Sequence, residues 1–242
     1  MSYTDIKVSV IMPFFNRVDW TIESIRSVLS QTHNNFELLL IDDGSTEDIT
    51  DLIDLCTTDN RIVYLRQENA GPAKARNTGI LHATGKYIAF LDSDDLFLPN
   101  KLKTQIEFME LNDLALSHTS YNKINSDGKL FDIKGTGKLH GNVFPEIINK
   151  CKIATPTVMG LTAIFKENKF PEEFSIGEDV CLWILLTSKY ILGGINQGLT
   201  SVRIHDSAAS TNKTKQHIGL QNIAKFVESH KLNTLINTKD TI

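Results

Sequence analysis

The sequence predicts an α/β fold: a doubly wound, mostly parallel central sheet joined to a smaller mixed half. Two observations carry this. Through about residue 112, short and nearly continuous apolar runs alternate with segments of helical period, as strands covered on both faces and their crossover helices do. Acids stand at the ends of two of those runs, where open α/β sheets gather their ligands.

The strands of the first half are VSVIM (Val8–Met12), FELLLI (Phe36–Ile41), IVYL (Ile62–Leu65) and YIAFL (Tyr87–Leu91). Between them Ile22, Ile25, Val28 and Leu29 share one helical face, and Ile49, Leu52, Ile53 and Cys56 share another. Ser45-x-x-Asp48 reads as a capping box for the second of these helices. Pro72 suits the first turn of a third and Gly85 its stop, while Leu102, Ile106 and Met109 mark a fourth. Beyond them LALSHTSYNKI reads as a strand, and Ser126-Asp127-Gly128 as a hairpin turn into LFDI. A short helix near Phe144–Lys150, a strand in TVMGLTAIF, a helix over VCLWILLTSKY and a strand in GLTSVRI follow. No Pro-, Gly- or Ser-rich linker and no repeat divides the chain. The organisation expected is one domain with halves at 1–112 and 113–212, then a tail helix over 213–242.

With 242 residues, 41% hydrophobic and 22% charged, the composition is that of a soluble globular protein. A net charge of −4 offers nothing to nucleic acid. Cys56, Cys151 and Cys181 are few and scattered, so reduced thiols in a cytoplasmic protein are expected rather than a disulfide frame or zinc site. The opening MSYTDIKVSVIMPFF lacks the pattern of a signal peptide, and Asn212-Lys213-Thr214 is read as a chance glycosylation match.

Five places carry chemistry. Asp92 and Asp94 in FLDSDD stand two apart in what reads as an extended segment, so both carboxylates share a side and form a hard oxygen site for Mg²⁺ or Mn²⁺. The plainer alternative is an acidic turn capping the next helix. Asp42 and Asp43 close the second strand, either as an acid–glycine turn or as acceptors for a nucleobase N–H or ribose hydroxyl. Lys74 and Arg76 either line a solvated helix face or reach a base or phosphate. Glu178 and Asp179 are helix-start acids, one of which could take a proton from an attacking hydroxyl. His205, just past a strand, is a surface or core histidine or else a further metal or phosphate ligand. No G-x-G-x-x-G, P-loop or G-x-S-x-G occurs.

Taken in order, VSVIMPFFN, LSQTHNNFELLLIDDGST, ENAGPAKARNTGI, ATGKYIAFLDSDD, GEDVCLW and RIHDSAAS resemble a family 2 glycosyltransferase of the GT-A fold, over about residues 7–210. The resemblance implies an inverting, metal-dependent transfer of sugar from a nucleotide-sugar, with UDP as the nucleotide, to a glycan or lipid-linked acceptor. It assigns Pro13, Phe14, Phe15 and Asn16 to the loop beneath the nucleotide, and Asp43 with Asp42 to the base. Lys74 or Arg76 would add base and phosphate contacts. Asp92 would face the ribose, Ser93 would line the same turn, and Asp95 would support it or face the sugar. Asp94 and His205 would hold Mn²⁺ or Mg²⁺, and Asp179 would be the general base. Val180 stands where relatives often carry tryptophan, and Leu185 near the place of an arginine, so the acceptor side departs from the family pattern. A nucleotidylyltransferase and a non-catalytic nucleotide-sugar-binding module are the rival readings. The tail, with Leu220, Ile223, Ala224 and Val227 as its apolar face, is expected to dock on the domain or to lie on a membrane surface.

Overall fold

The computed structural model describes residues 3–137, 139–205 and 213–232. The first four strands are β1 (Val8–Phe14), β2 (Phe36–Asp42), β3 (Ile62–Arg66) and β4 (Tyr87–Phe90), with helices α1 (Val18–Leu29), α2 (Thr50–Thr57) and α3 (Pro72–His82) between them. A two-residue strand β5 (Leu96–Phe97) and α4 (Lys101–Leu111) lead into β6 (Leu116–Ile124) and β7 (Leu130–Lys134). Then come α5 (Ile147–Lys150), β8 (Met159–Leu161), α6 (Thr162–Glu167), α7 (Glu178–Thr187), β9 (Leu192–Arg203) and α8 (Lys213–Ser229). The described strands form one sheet in the order β3-β2-β1-β4-β8-β6-β9-β5, with β7 on β6. The first four are mutually parallel; β8 joins β4 antiparallel and carries the sheet into its mixed half.

The continuous apolar runs have their expected cause. Along β1 and β2, Ile11, Leu39 and Ile41 enter one core, while Val10, Met12, Leu38 and Leu40 enter the other on the opposite face. Gly79 lets α3 lie against β1, since a Cβ there would meet Ile11 Cγ2 at 2.5 Å. Phe90, the last residue of β4, packs edge-on to Phe165 at 5.0 Å and Phe170 at 5.3 Å, with Trp183 beside them. This aromatic cluster is a rigid floor under the residues that follow, and it places Trp183 in the core.

Several expectations are corrected. Ser45 and Asp48 do not box the second helix: α2 starts at Thr50, Ser45 Oγ accepts the Asn16 N–H, and Asp48 accepts the Thr50 N–H and hydroxyl. The strand expected in TVMGLTAIF is three residues long, because the chain leaves the sheet at Thr162 to form α6. Pro13, expected in a loop, lies buried inside β1 opposite Ile41. In α8 the buried side is Phe226 and Val227 with part of Ile223, whereas Leu220 is 66% exposed and Ala224 is also outside. No described helix is long and apolar enough to cross a membrane.

Candidate active site

The acids after β4 do not continue the strand. Leu91 still donates its N–H to Ile11 O, but the Asp95 N–H turns back to Asp92 O at 3.0 Å and closes a turn. The three carboxylates therefore point to three different partners. Asp92 Oδ1 accepts from Arg76 Nη2 at 2.7 Å. Asp94 Oδ2 accepts from Arg17 Nη1 at 3.2 Å and stands 3.0 Å from His205 Nε2. Asp95 turns inward and accepts the Arg203 N–H at 2.8 Å. Burial first, then Asp94 and Asp92, push the Asp95 carboxyl well above the usual carboxylate range. Mutual repulsion in DSDD is thus relieved by two guanidinium groups, an imidazole and the shifted proton affinity of Asp95. The Ser93 carbonyl accepts from Ser24 Oγ at 3.0 Å, which anchors the turn to α1.

Asp94 and His205 supply one carboxylate oxygen and one imidazole nitrogen converging within hydrogen-bond distance. Among the described residues no three or more His, Cys, Asp and Glu side chains converge so that they could hold a metal ion by themselves. A pair of such donors fits Mn²⁺ or Mg²⁺ when phosphate oxygens complete the shell.

At the end of β2 the two adjacent acids differ sharply. Asp42 has no exposed surface, and its carboxylate accepts from Ser45 N, Tyr64 Oη and Arg66 Nη1, each at 2.7 Å. It holds the 42–45 turn and, being wholly buried, presents no surface to a base, which differs from the sequence expectation. Asp43 binds the neighbouring loop instead, through Gln67 Nε2 and the N–H groups of Ala70 and Gly71 at 2.8–2.9 Å. Those use three of a carboxylate's roughly four acceptor sites. Beside it a shallow depression is lined by Gly44, Arg66, Gln67 and Asn69. Asn16 and Arg17 both adopt left-handed backbone (φ 58 and 57), a costly conformation for two residues without glycine. Asn16 Oδ1 offsets this by capping the Thr46 and Glu47 N–H groups. The bend exposes Phe15 and sends the Arg17 side chain back to Asp94.

Glu178 and Asp179 open α7. Asp179 is half-buried; its Oδ2 accepts from Thr155 Oγ1 at 2.9 Å and its Oδ1 from the Val180 N–H at 2.8 Å. Arg76 joins this end to the acid turn. Buried over the Phe170 ring, it donates from Nη1 to Glu178 Oε1 at 2.9 Å and from Nη2 to Asp92. Burial opposes its charge, yet Asp92 and Glu178 outweigh burial and hold it above the ordinary arginine value. Glu178 is pushed up by burial and by Asp179, against the pull of Arg76. Lys74, by contrast, faces outward and pairs with Glu172 at 3.2 Å.

Two residues central to the site were missed in the sequence. Arg17 is one. Arg203 is the other: fully inside, it donates from Nε to Asp94 O at 2.9 Å, from Nη1 to Ser126 O at 2.7 Å and from Nη2 to Glu23 at 2.6 Å. Its position two residues before His205 was the available signal.

Comparison with known proteins adds four findings. Residues 9–172 match the model of glycosyl transferase family 2. An uncharacterized glycosyltransferase of Rickettsia bellii is 55% identical over 92% of this chain but only 32% of its own length, so the chain spans about a third of that relative. The Escherichia coli UDP-Glc:alpha-D-GlcNAc-diphosphoundecaprenol beta-1,3-glucosyltransferase WfgD is 36% identical over 88% of this chain and 83% of its own. Among solved structures, S. aureus TarS 1-349 in complex with UDP-GlcNAc superposes with a TM-score of 0.74 at 20% identity, covering 92% of this chain and 66% of that one.

Proposed function

The chain belongs to glycosyl transferase family 2 and has a GT-A-like fold, and from that premise we propose that it transfers a sugar from a UDP-sugar to a hydroxyl of a lipid-linked saccharide, inverting the anomeric configuration. The observation that carries this is Arg76, which bridges Asp92 and Glu178 and so brings the donor-side acids beside Asp179.

The uracil sits in the depression beside Asp43, whose remaining acceptor site takes a base N–H, and by the family resemblance Phe15 and Asn16 lie beneath the nucleotide. Asp92 faces the ribose, and Asp94 with His205 would hold Mn²⁺ or Mg²⁺, which when bound neutralises the diphosphate leaving group. Asp95 and Ser93 shape the turn from behind. Asp179 takes the proton of the acceptor hydroxyl as that oxygen attacks the anomeric carbon from the side opposite the diphosphate. Thr155 orients its Oδ2 by donating its hydroxyl to it. The lipid-linked acceptor follows the chemistry named for WfgD.

Nucleotide release is measured over a panel of sugar nucleotides with Mn²⁺, Mg²⁺ or chelator, for the native chain and Asp179→Asn. The reading expects metal-dependent release from one UDP-sugar, reduced about 10²–10⁴-fold in the variant, with UDP affinity retained. Equal transfer by the variant would reject Asp179 as the base, and UDP binding with no turnover of any donor in the presence of acceptor would favour the binding-module reading.

A further inference from the structure

We propose that the β6–β7 hairpin is a lipid-contacting element that seats the donor turn on an anionic membrane surface. The inference rests on the reading that the acceptor is lipid-linked. On β7, Leu130, Phe131 and Ile133 are 51%, 58% and 60% exposed, a run of large apolar side chains on an edge strand. Such an edge invites another strand unless something blunts it. Here the register shifts: Asp132 faces Lys123 and Leu130 faces Ile124, so Phe131 is the extra residue of a bulge. Lys129, just before the strand, and Lys134, at its end, are exposed. Bulge and lysines oppose pairing with a second copy while leaving the apolar side chains free.

The charge fits an anionic surface. The hairpin carries Lys123, Lys129 and Lys134 against Asp127 and Asp132, in a chain whose net charge is −4. Asp132 is covered by both Lys123 at 3.3 Å and Lys134 at 3.1 Å. Apolar side chains flanked by lysine are the chemistry that enters the headgroup boundary of acidic lipid. The hairpin is also wired to the site: Arg203 donates to Ser126 O at its turn and to Asp94 O in the acid turn. By contrast, the tail helix directs Phe226 and Val227 inward.

The test is co-sedimentation with vesicles of phosphatidylcholine alone or mixed with phosphatidylglycerol. The variants are Phe131→Ser/Ile133→Ser, Lys129→Glu and, on α8, Leu220→Ser, each with its Tm recorded. The native chain should partition to the acidic vesicles. The double variant should lose at least about tenfold of that partition and Lys129→Glu a smaller part, with Leu220→Ser unchanged and UDP affinity intact. Absence of native binding, or equal binding by a folded double variant, overturns the proposal. So does a native dimer that the double variant makes monomeric without altering vesicle partition. Vesicle binding that is lost in the double variant, in a chain that turns over no sugar nucleotide, would sink the proposed reaction and leave the hairpin assignment standing.

Discussion

The two acidic ends that meet at Arg76 are built in opposite ways. The 92–95 turn follows a buried strand and is braced from many directions: Ser24 and Arg17 near α1, Arg203 on β9, and His205 beyond it. The Glu178–Asp179 end opens a helix; its long-range charge partner is Arg76, with Thr155 alongside. A turn held by many partners keeps its shape when one is lost. An end that depends on a single buried guanidinium does not.

Removing that guanidinium should have the largest effect. Arg76→Met leaves Glu178 buried without its charge partner, and we expect a loss of about 3–5 kcal/mol in urea unfolding, together with lost transfer. A variant as stable as the native chain would show that the two ends are held independently. On the over-braced side, Asp94→Ala should leave the fold intact and lower activity by more than the roughly 10–100-fold that losing a partner behind a metal ligand costs. Its UDP affinity should no longer differ between Mn²⁺ and chelator; a metal effect of native size would contradict the ligand assignment. Arg203→Lys is subtler, because one ammonium replaces three nitrogens aimed at three partners. Expected are a roughly tenfold higher Mn²⁺ requirement and a Tm lower by a few degrees, about 1 kcal/mol. A Tm change alone would make it merely structural.

The smallest effect lies just below the acid turn. Lys101 is wholly buried at the start of α4, its ammonium over the Phe97 ring and without a hydrogen-bond partner among the described residues. Burial pushes its pKa well below the lysine range. Between that lowered value and the ordinary one, the unfolded chain binds the extra proton, so stability rises with pH. Lys101→Met should abolish that rise and stabilise the fold at neutral pH by on the order of 1 kcal/mol, with transfer unchanged. Retention of the pH slope, read by urea unfolding from pH 7 to 10, would assign it to another group.

The parallel half was readable because β1, β2 and β4 are buried on both faces, which leaves long apolar runs in the chain. β5 was not readable: two residues, Leu96 and Phe97, pair with β9 only after more than a hundred residues return. The same limit applies at the site. FLDSDD announces an acid cluster, but the spacing of Asp92 and Asp94 suggested a shared side that the turn denies them. Adjacent Asp42 and Asp43 look alike in sequence, and only tertiary partners tell them apart: Tyr64 and Arg66 on β3 hold Asp42, while Gln67, Ala70 and Gly71 hold Asp43. Arg17 and Arg203 act through tertiary pairing, and no local pattern marks that.

One contact ties the tail helix to the proposed chemistry. Gly177, at φ 80, packs on Gly219 of α8, where a Cβ would come within 3.2 Å of the Gly219 carbonyl oxygen. Asn222 donates to Ile176 O at 3.0 Å one residue earlier. The helix therefore grips the two residues that precede Glu178 and Asp179, although it lies past the segment matching the family model. In mechanical terms α8 is a buttress: it fixes the backbone from which Glu178 and Asp179 project, so their placement depends on a helix outside the strand-and-crossover frame.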